Sequence, residues 1–201
     1  KAVMHAATSI RMGEHNVIIA GGMESMSNAP QLLIGQRKGK KMGDSKLVDS
    51  MIHDGLWDVY SNQLMGNCAE ICAKKYKFSR EDQDSFAERS YKRSQNAIKN
   101  GLFNDEIVSV EIKQKKGDPV TISIDEEPNK VDFSKMRKLR PAFEKEGTIT
   151  AGNASTINDG AAAVVLMSEE HAKSLGIKPI AKILSQADIA IHSINNLAEA
   201  A

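Results

Sequence analysis

The segment Gly147–Ser168, GTITAGNASTINDGAAAVVLMS, has no aromatic side chain and almost no charge. Its second half, Ala161–Met167, is a short continuous apolar run, which predicts a strand buried on both faces and followed by a helix. Its first half contains Ala151–Ser155, which we call the small-residue segment because every side chain in it is short. Short side chains leave the backbone uncovered, so we expect a ligand to approach the chain closely there.

An α/β pattern lies on both sides of this segment in the sequence. Near the start of the chain, KAVMHAATSIRMG has apolar residues at helical spacing, and NVIIAGG then predicts a short buried strand. After the segment we expect a helix from about Glu169 to Leu175 and a final strand, IAKILSQADI. Between these layers, from about Glu24 to Lys145, the sequence predicts an insertion of helices, a hairpin and basic loops.

The insertion contains the clearest local signals. SREDQDSFAERSYKRSQNAIKNG opens with Ser79 and Asp82 at the spacing of a capping box, and Gly101 follows its last turn. These features predict one long helix. EIVSVEIKQKKGDPVTISID then predicts two strands joined by a KKGD turn.

Composition argues against several classes of function. The 201 residues are 41% hydrophobic and carry 27 Lys and Arg against 26 Asp and Glu, so charge gives no reason to expect nucleic acid or an anionic membrane as a partner. No apolar run approaches the ~20 residues of a membrane span, and no signal peptide is recognised. Cys68 and Cys72 lie one helical turn apart without a nearby His, so we expect a packed helix and no zinc site.

Five motifs occur in order along the chain: AGGMESMSNAP, LMGNCAEICAKKY, SREDQDSFAERSY, LRPAFEKEGTITAGNAS and AGNASTINDGAAAVVLMS. Together they resemble the thiolase family, and more narrowly its acetyl-CoA acetyltransferases of the mitochondrial or biosynthetic acetoacetyl-CoA type. The resemblance covers roughly Lys1 to Asp188. Several motifs in the right order are far more specific than any one of them alone.

The resemblance implies an α/β, thiolase-type layered fold in a partial chain. Most of the N-terminal half would be present with an inserted α+β loop domain, and the C-terminal half would be largely absent. Residues 1–23 would form a helix and strand of the N-terminal half, and residues 24–145 the loop domain that covers coenzyme A (CoA). Residues 146–188 would return to the N-terminal half and start the second half, and residues 189–201 would be a divergent tail.

The resemblance also implies a set of cofactor-binding residues. Some match apolar positions along the cofactor, and others match positions beside its pantetheine arm, its adenine or its phosphates. The residues are Leu56, Met65, Lys130, Ala142, Phe143, Ala151 and Ser155. Lys130 falls near a position that is often Arg and supplies charge without the guanidinium fork. Taken without the resemblance, Phe143 would be interpreted as a core residue. Leu64 stands where many relatives have His.

One match, a potassium site, distinguishes a subtype within the family. Mitochondrial acetoacetyl-CoA thiolases bind potassium through a Tyr and backbone carbonyls, and the matching residues here are Tyr91 with Ala151, Gly152 and Ala154. A hard cation prefers oxygen ligands, which exposed carbonyls offer. The alternative is that Tyr91 packs on a helix face.

The catalytic residues of the family have no match in this chain. The nucleophilic Cys of thiolases stands in a CASGMKA-like segment just before the helix that here begins KAVMHAA. An Asn, a His and a second Cys lie in NEAF, GHP and CxG motifs, and none of these strings occurs here. We therefore assign no catalytic residue, and we expect the chain as given, which starts about five residues too late, to be inactive.

The expected function is that of a partial acetyl-CoA C-acetyltransferase, which converts two acetyl-CoA to acetoacetyl-CoA and CoA reversibly. The alternatives are a 3-ketoacyl-CoA thiolase of fatty-acid degradation and a non-catalytic CoA-binding or scaffold fragment. Acyl-CoA would be the substrate, with no prosthetic group, and the full-length parent would be a homo-oligomer, a dimer or tetramer. We expect the cytoplasm or the mitochondrial matrix as its compartment, and two thiols without a disulfide framework fit a reducing one.

Overall fold

A computed structural model describes residues 1–188 of the chain. The helices, in chain order, are α1 (Ala2–Arg11), α2 (Met65–Tyr76), α3 (Arg80–Lys99), α4 (Glu127–Lys130), α5 (Phe133–Met136) and α6 (Glu169–Ser174). The strands are β1 (Val17–Ser25), β2 (Gln31–Leu33), β3 (Leu47–Asp49), β4 (Trp57–Asp58), β5 (Gln63–Leu64), β6 (Val110–Ile112), β7 (Val120–Ile122) and β8 (Asp159–Met167). Within these 188 residues, no helix is both long and apolar enough to cross a membrane.

The chain forms two compact units, and the first comprises Lys1–Trp57 and the segment that begins at Thr156. Its centre is an antiparallel pair of strands, β1 and β8, in which Val17 lies opposite Met167 and Ser25 opposite Asp159. Helix α1 lies against both strands and buries two alanines. Helices α1 and α6 confirm the two helices predicted near the ends of the described chain.

The two strands of this unit are more exposed than their sequences predict. Ala161–Met167 was expected to be buried on both faces, yet Val165 is 61% exposed, and in β1 only Ala20 is buried. The prediction of buried strands is therefore wrong for this structure. The physical reason is that β1 and β8 pair only with each other in the described residues, so no further strand or second helical layer covers the ribbon.

The prediction of a final strand, IAKILSQADI, is also wrong for the residues of it that the structure describes. Residues 181–188 of IAKILSQADI form neither helix nor strand. Its apolar alternation has no described neighbouring strand to supply a hydrogen-bonded ladder, and Leu184 is 83% exposed. The tail predicted at residues 189–201 lies outside the described residues.

The second unit, Asp58–Ser155, consists of helices and one hairpin. Helix α3 begins at the predicted capping box: the Asp82 amide donates to Ser79 Oγ at 3.0 Å, and the Ser79 amide donates to Asp82 Oδ2 at 3.0 Å. Gly101 follows its end with a left-handed φ of +65°. Strands β6 and β7 form the predicted hairpin, with Val110 opposite Ile122.

The core of the second unit mixes apolar and polar groups. The apolar members are small or flexible, namely Cys68, Ala73, Met136 and Ile149. Three polar side chains are buried with them: Glu70 is 1% exposed, Asp84 2% and Thr150 0%. Buried polar groups need hydrogen-bond partners, and those partners position the site described below. The domain ranges that the resemblance implies, residues 1–23, 24–145 and 146–188, differ from these two units and stay predictions.

The capping box gives a prediction about stability. Ser79→Ala should lower the free energy of unfolding by about 1 kcal/mol, because the first turn of α3 loses a hydrogen-bond acceptor. The Ser79 hydroxyl first, and the Ser79 amide second, lower the pKa of Asp82 below 3.8. The stabilisation should therefore be complete at neutral pH and disappear as the pH falls through the lowered pKa.

The measurement is urea unfolding at a series of pH values. Ser94→Ala, in the middle of the same helix, is the matched control and should be neutral or slightly stabilising. Equal losses for the two variants, or a Ser79→Ala loss that does not depend on pH, would contradict the capping box.

Candidate cofactor-binding site

Two residues predicted to contact CoA come together at the start of α2. The ring of Phe143 lies so close to Gly66 that a Cβ at that position would overlap with it. Asn67 Nδ2 donates to the carbonyl oxygen of Phe143 at 3.4 Å. Met65, which immediately precedes Gly66, is 39% exposed, and Phe143 is half-buried, so both apolar side chains keep some open surface at this end of α2.

A buried carboxylate holds the chain just before the small-residue segment. The amide of Thr148 donates to both oxygens of Glu70, at 2.9 and 3.0 Å, and the amide of Ile149 donates to Oε1 at 2.8 Å. The hydroxyl of Thr148 adds a fourth bond, 3.1 Å long, to Oε2. A Cβ at Gly147 would overlap with the Glu70 carboxylate, so this position has room only for glycine.

The small-residue segment folds into a tight turn on Thr150. The Thr150 carbonyl accepts the amides of Asn153 and Ala154 at 3.2 and 2.9 Å, and Asn153 Oδ1 accepts the Thr150 amide at 2.8 Å. Asn153 Nδ2 also donates to Asp84 of α3 at 2.9 Å. The turn is therefore fixed from inside and from a neighbouring helix.

The outer side of this turn is open. Ala151 and Ser155 are exposed, and Gly152 lies against Met136 and Leu139. Within the part of the chain that the structure describes, the carbonyl oxygens of Ala151, Gly152 and Ala154 accept no hydrogen bond. Free carbonyl oxygens can bind amide N–H groups of a ligand or a cation.

Ala142 connects this turn to the apolar surface at the start of α2. Its amide donates to the carbonyl of Ile149 at 2.9 Å, in the same backbone stretch that Glu70 holds. Five of the residues predicted for CoA therefore lie in one unit, on or next to backbone that these contacts join: Met65, Ala142, Phe143, Ala151 and Ser155.

The remaining two predicted CoA residues are placed differently. Lys130 ends α4 in an exposed position and forms ion pairs with Glu126 at 3.1 Å and Glu127 at 3.9 Å. The hydrogen bond that Lys130 donates to Glu126 is the main cause that raises the pKa of Lys130. Leu56 ends the π-helical turn Met51–Leu56 and belongs to the first unit.

Tyr91 lies on a packed face of α3. Its ring meets Phe133 edge to face, with 6.4 Å between centroids and 77° between planes. Burial first, and the charge of Glu127 second, raise the pKa of Tyr91, so its hydroxyl is neutral and can donate or accept. Asp84, which holds Asn153, is seven residues earlier on the same helical face, about 10 Å along the axis.

The two thiols are structural in this arrangement. Cys68 is buried, and burial first and the charge of Asp58 second raise the pKa of its thiol. A raised thiol pKa disfavours the nucleophilic thiolate, which agrees with the packed helix predicted from the sequence. Among residues 1–188, no group of three or more His, Cys, Asp or Glu side chains could hold a metal ion.

Sequence reasoning missed the residues that hold the site. Glu70, Asp84 and Asn153 carry the polar network, and none of them was predicted. One signal was present for Glu70: it is a carboxylate between Ala69 and Ile71 on a helix whose flanking residues are apolar. An acidic residue on a buried helical face needs a partner, but the partner is 78 residues away and has no local signature.

Known proteins resemble this chain along nearly its whole length. The family described as "Thiolase, N-terminal domain" matches residues 1–170. The acetyl-CoA acetyltransferase of Yarrowia lipolytica is 52% identical over 195 residues, which are 97% of this chain and 48% of the relative. Acetyl-CoA acetyltransferase 2 of Arabidopsis thaliana is 53% identical over 192 residues, 94% of this chain and 48% of the relative. The chain spans about half the length of these curated relatives.

Solved structures confirm the expected fold. The acetyl-CoA acetyltransferase of Bacillus anthracis superposes with a TM-score of 0.83 at 40% identity, over 89% of this chain and 45% of that one. The Acat5 thiolase of Ascaris suum, solved in complex with coenzyme A, gives 0.81 at 44% identity, over 92% of this chain and 46% of that one.

The contact between Gly66 and Phe143 predicts that a Gly→Ala substitution, which ordinarily stabilises a helix, destabilises this one. Gly→Ala inside a helix ordinarily stabilises by about 1 kcal/mol. Gly66→Ala should instead lower the free energy of unfolding by about 1–3 kcal/mol, because the new methyl group overlaps with the ring. Urea unfolding measures the change.

The control is the same substitution in a Phe143→Leu background, where the smaller side chain can move aside. There Gly66→Ala should be neutral or stabilising. An equal loss in both backgrounds would show that the Phe143 ring does not lie on Gly66.

Proposed function

The chain belongs to the thiolase family, and we propose that it supplies the CoA-binding part of an acetyl-CoA C-acetyltransferase, which converts two acetyl-CoA to acetoacetyl-CoA and CoA reversibly. The observation that carries this proposal is the buried hydrogen-bond network around Glu70, which joins the backbone before Phe143 to the small-residue segment, while the Phe143 ring lies on Gly66 next to Met65. The relatives named above, all acetyl-CoA acetyltransferases or a thiolase, support it. They do not favour the degradative thiolase as an alternative.

CoA has chemistry that suits each part of this site. Its pantetheine arm carries two amides, for which the free carbonyls of Ala151 and Gly152 and the hydroxyl of Ser155 are hydrogen-bonding partners. Its adenine and the methyl groups of the arm need apolar surface, which Met65 and the Phe143 ring offer. Lys130 is exposed and, like an ordinary lysine, is protonated at neutral pH, so it can exchange its Glu126 partner for a phosphate at little cost.

The proposal also assigns the catalytic steps to residues that have no match in this sequence. In the family, one Cys is acylated as a thioester and a second Cys removes an α-proton. The motifs that carry those residues do not occur in this sequence, and the thiol of Cys68 is buried with a raised pKa. The 201 residues therefore bind substrate without turning it over.

A potassium ion belongs to the proposal as a structural ion of the site. Its ligands would be the Tyr91 hydroxyl and the carbonyls of Ala151, Gly152 and Ala154, and the free state of those carbonyls supports the assignment. We also propose that the parent is a homo-oligomer and acts in the cytoplasm or mitochondrial matrix.

The absence of turnover is directly measurable. Acetoacetyl-CoA and CoA are mixed with the 201-residue chain, and loss of the enolate absorbance is followed. No rate above background is expected, while the Cupriavidus necator acetyl-CoA acetyltransferase, 52% identical, serves as the active control. Turnover above background that Cys68→Ser or Cys72→Ser abolishes would contradict the assignment of catalysis to residues outside this chain.

The small-residue segment gives the sharper test of binding. Ala151→Leu in the full-length protein should raise the CoA dissociation constant about ten- to a hundredfold, because leucine occupies the volume that the pantetheine arm needs. Ser90→Leu, an exposed position of α3, is the control and should leave binding unchanged. Both constants are measured by titration calorimetry, with the melting temperature of each ligand-free sample.

A large fall in melting temperature with unchanged CoA affinity would mean that Ala151 is small for packing and not for a ligand. The exposure of Ala151 argues against that result, since an exposed leucine meets no core to overpack.

A further inference from the structure

We propose that Glu70 is a positioning residue for CoA: its buried carboxylate holds the backbone of Thr148 and Ile149 and thereby sets the geometry of two cofactor-binding elements at once. This inference rests on the proposed function, because it concerns the same site. It assigns to Glu70 a role that differs from contact with the substrate.

The carboxylate is built into the core as an acceptor for backbone N–H groups. Glu70 is 1% exposed, and its two oxygens accept four hydrogen bonds, three of them from the amides of Thr148 and Ile149. Gly147 leaves the space that the carboxylate occupies. A buried negative charge is tolerated only when such donors replace its water, so the side chain and the backbone stretch must stay together.

The backbone that Glu70 holds is joined to both cofactor-binding elements. On one side, the carbonyl of Ile149 accepts the amide of Ala142, which precedes Phe143. On the other side, the carbonyl of Thr148 accepts Asn153 Nδ2 at 3.0 Å, inside the small-residue segment. A shift of residues 148 and 149 therefore moves the surface for adenine and the surface for pantetheine relative to each other.

Glu70→Gln changes the hydrogen bonding at almost constant volume. With the glutamine oxygen in the place of Oε1, the amides of Thr148 and Ile149 keep one acceptor, while the NH₂ group takes the place of Oε2 and faces the N–H of Thr148. The Thr148 amide loses its second acceptor, and every remaining bond loses the charge that strengthened it, so the backbone stretch is held less tightly. We expect the KM for CoA to rise about tenfold or more, with kcat within about twofold, because bound substrate still reaches an intact catalytic centre.

The experiment measures thiolysis of acetoacetyl-CoA by the full-length protein, well below the melting temperature of each variant. Wild type, Glu70→Gln and the control Glu111→Gln are compared. Glu111 lies exposed in β6 and undergoes the same change of charge. Hydrogen exchange of the Thr148 and Ile149 amides, without CoA, gives a readout that does not depend on activity.

The proposal expects a raised KM, an unchanged kcat and faster exchange at Thr148 and Ile149 in Glu70→Gln alone. Should Glu70→Gln fail to fold, Thr148→Val decides instead: it removes the hydroxyl bonds to Glu70 and Gln83, leaves the amide bonds to Glu70 in place, and should raise KM about two- to threefold. Gln83, the other partner of that hydroxyl, keeps acceptors in the carbonyls of Phe78 and Ser79.

A folded Glu70→Gln with wild-type KM, or a variant with a lower melting temperature and unchanged kinetics, would overturn the positioning role while leaving the proposed function intact. Failure of the wild-type protein itself to bind CoA would overturn the proposed function and this inference together.

Discussion

The carboxylate of Glu70 is the interaction on which the second unit depends. Removing an ionised carboxylate from water costs on the order of several kcal/mol, so it is buried only where donors are fixed in advance. Here the donors are backbone amides of a segment 78 and 79 residues later in the chain. Hydrogen bonds to a charged group contribute about 1.5–3 kcal/mol each, enough to offset the desolvation when all of them form. The fold and the carboxylate thus require each other.

This constraint explains part of why the chain around residues 147–155 has so many short side chains. The reasons differ from one position to the next. Gly147 leaves room for the Glu70 carboxylate, and Gly152 packs against Met136 and Leu139. Ala151 and Ser155, in contrast, are exposed and leave carbonyls open. Packing therefore accounts for the missing side chains at Gly147 and Gly152, and the proposed approach of the pantetheine arm accounts for the short ones at Ala151 and Ser155.

Local features of the sequence predicted local structure well. The ends of α3 follow from Ser79, Asp82 and Gly101, which act within a few residues of each other. The β6–β7 hairpin follows from its turn in the same way. The exposure of β8 could not be predicted, because burial of a strand depends on neighbours that its own sequence does not specify.

The candidate site shows the same difference between what the sequence could predict and what only the structure shows. The resemblance predicted Met65, Ala142, Phe143 and the small-residue segment as CoA-binding residues, and in the structure hydrogen bonds join the backbone of Ala142 to the stretch that leads into that segment. Neither the resemblance nor the spacing indicated Glu70, Asp84 and Asn153, because their hydrogen bonds join segments about 70–80 residues apart. Lys130 was found as a cation, but only the structure shows that Glu126 and Glu127 already pair with it.

A crystal structure of the full-length protein with CoA tests the central claim most directly. The account predicts electron density for the pantetheine arm along Ala151–Ser155, with its amides bonded to the free carbonyls and Ser155, and apolar contacts to Met65 and Phe143. Glu70 should remain bonded to Thr148 and Ile149 and make no contact with the ligand. CoA bound elsewhere, or in direct contact with Glu70 after the Thr148 and Ile149 bonds have broken, would contradict the account.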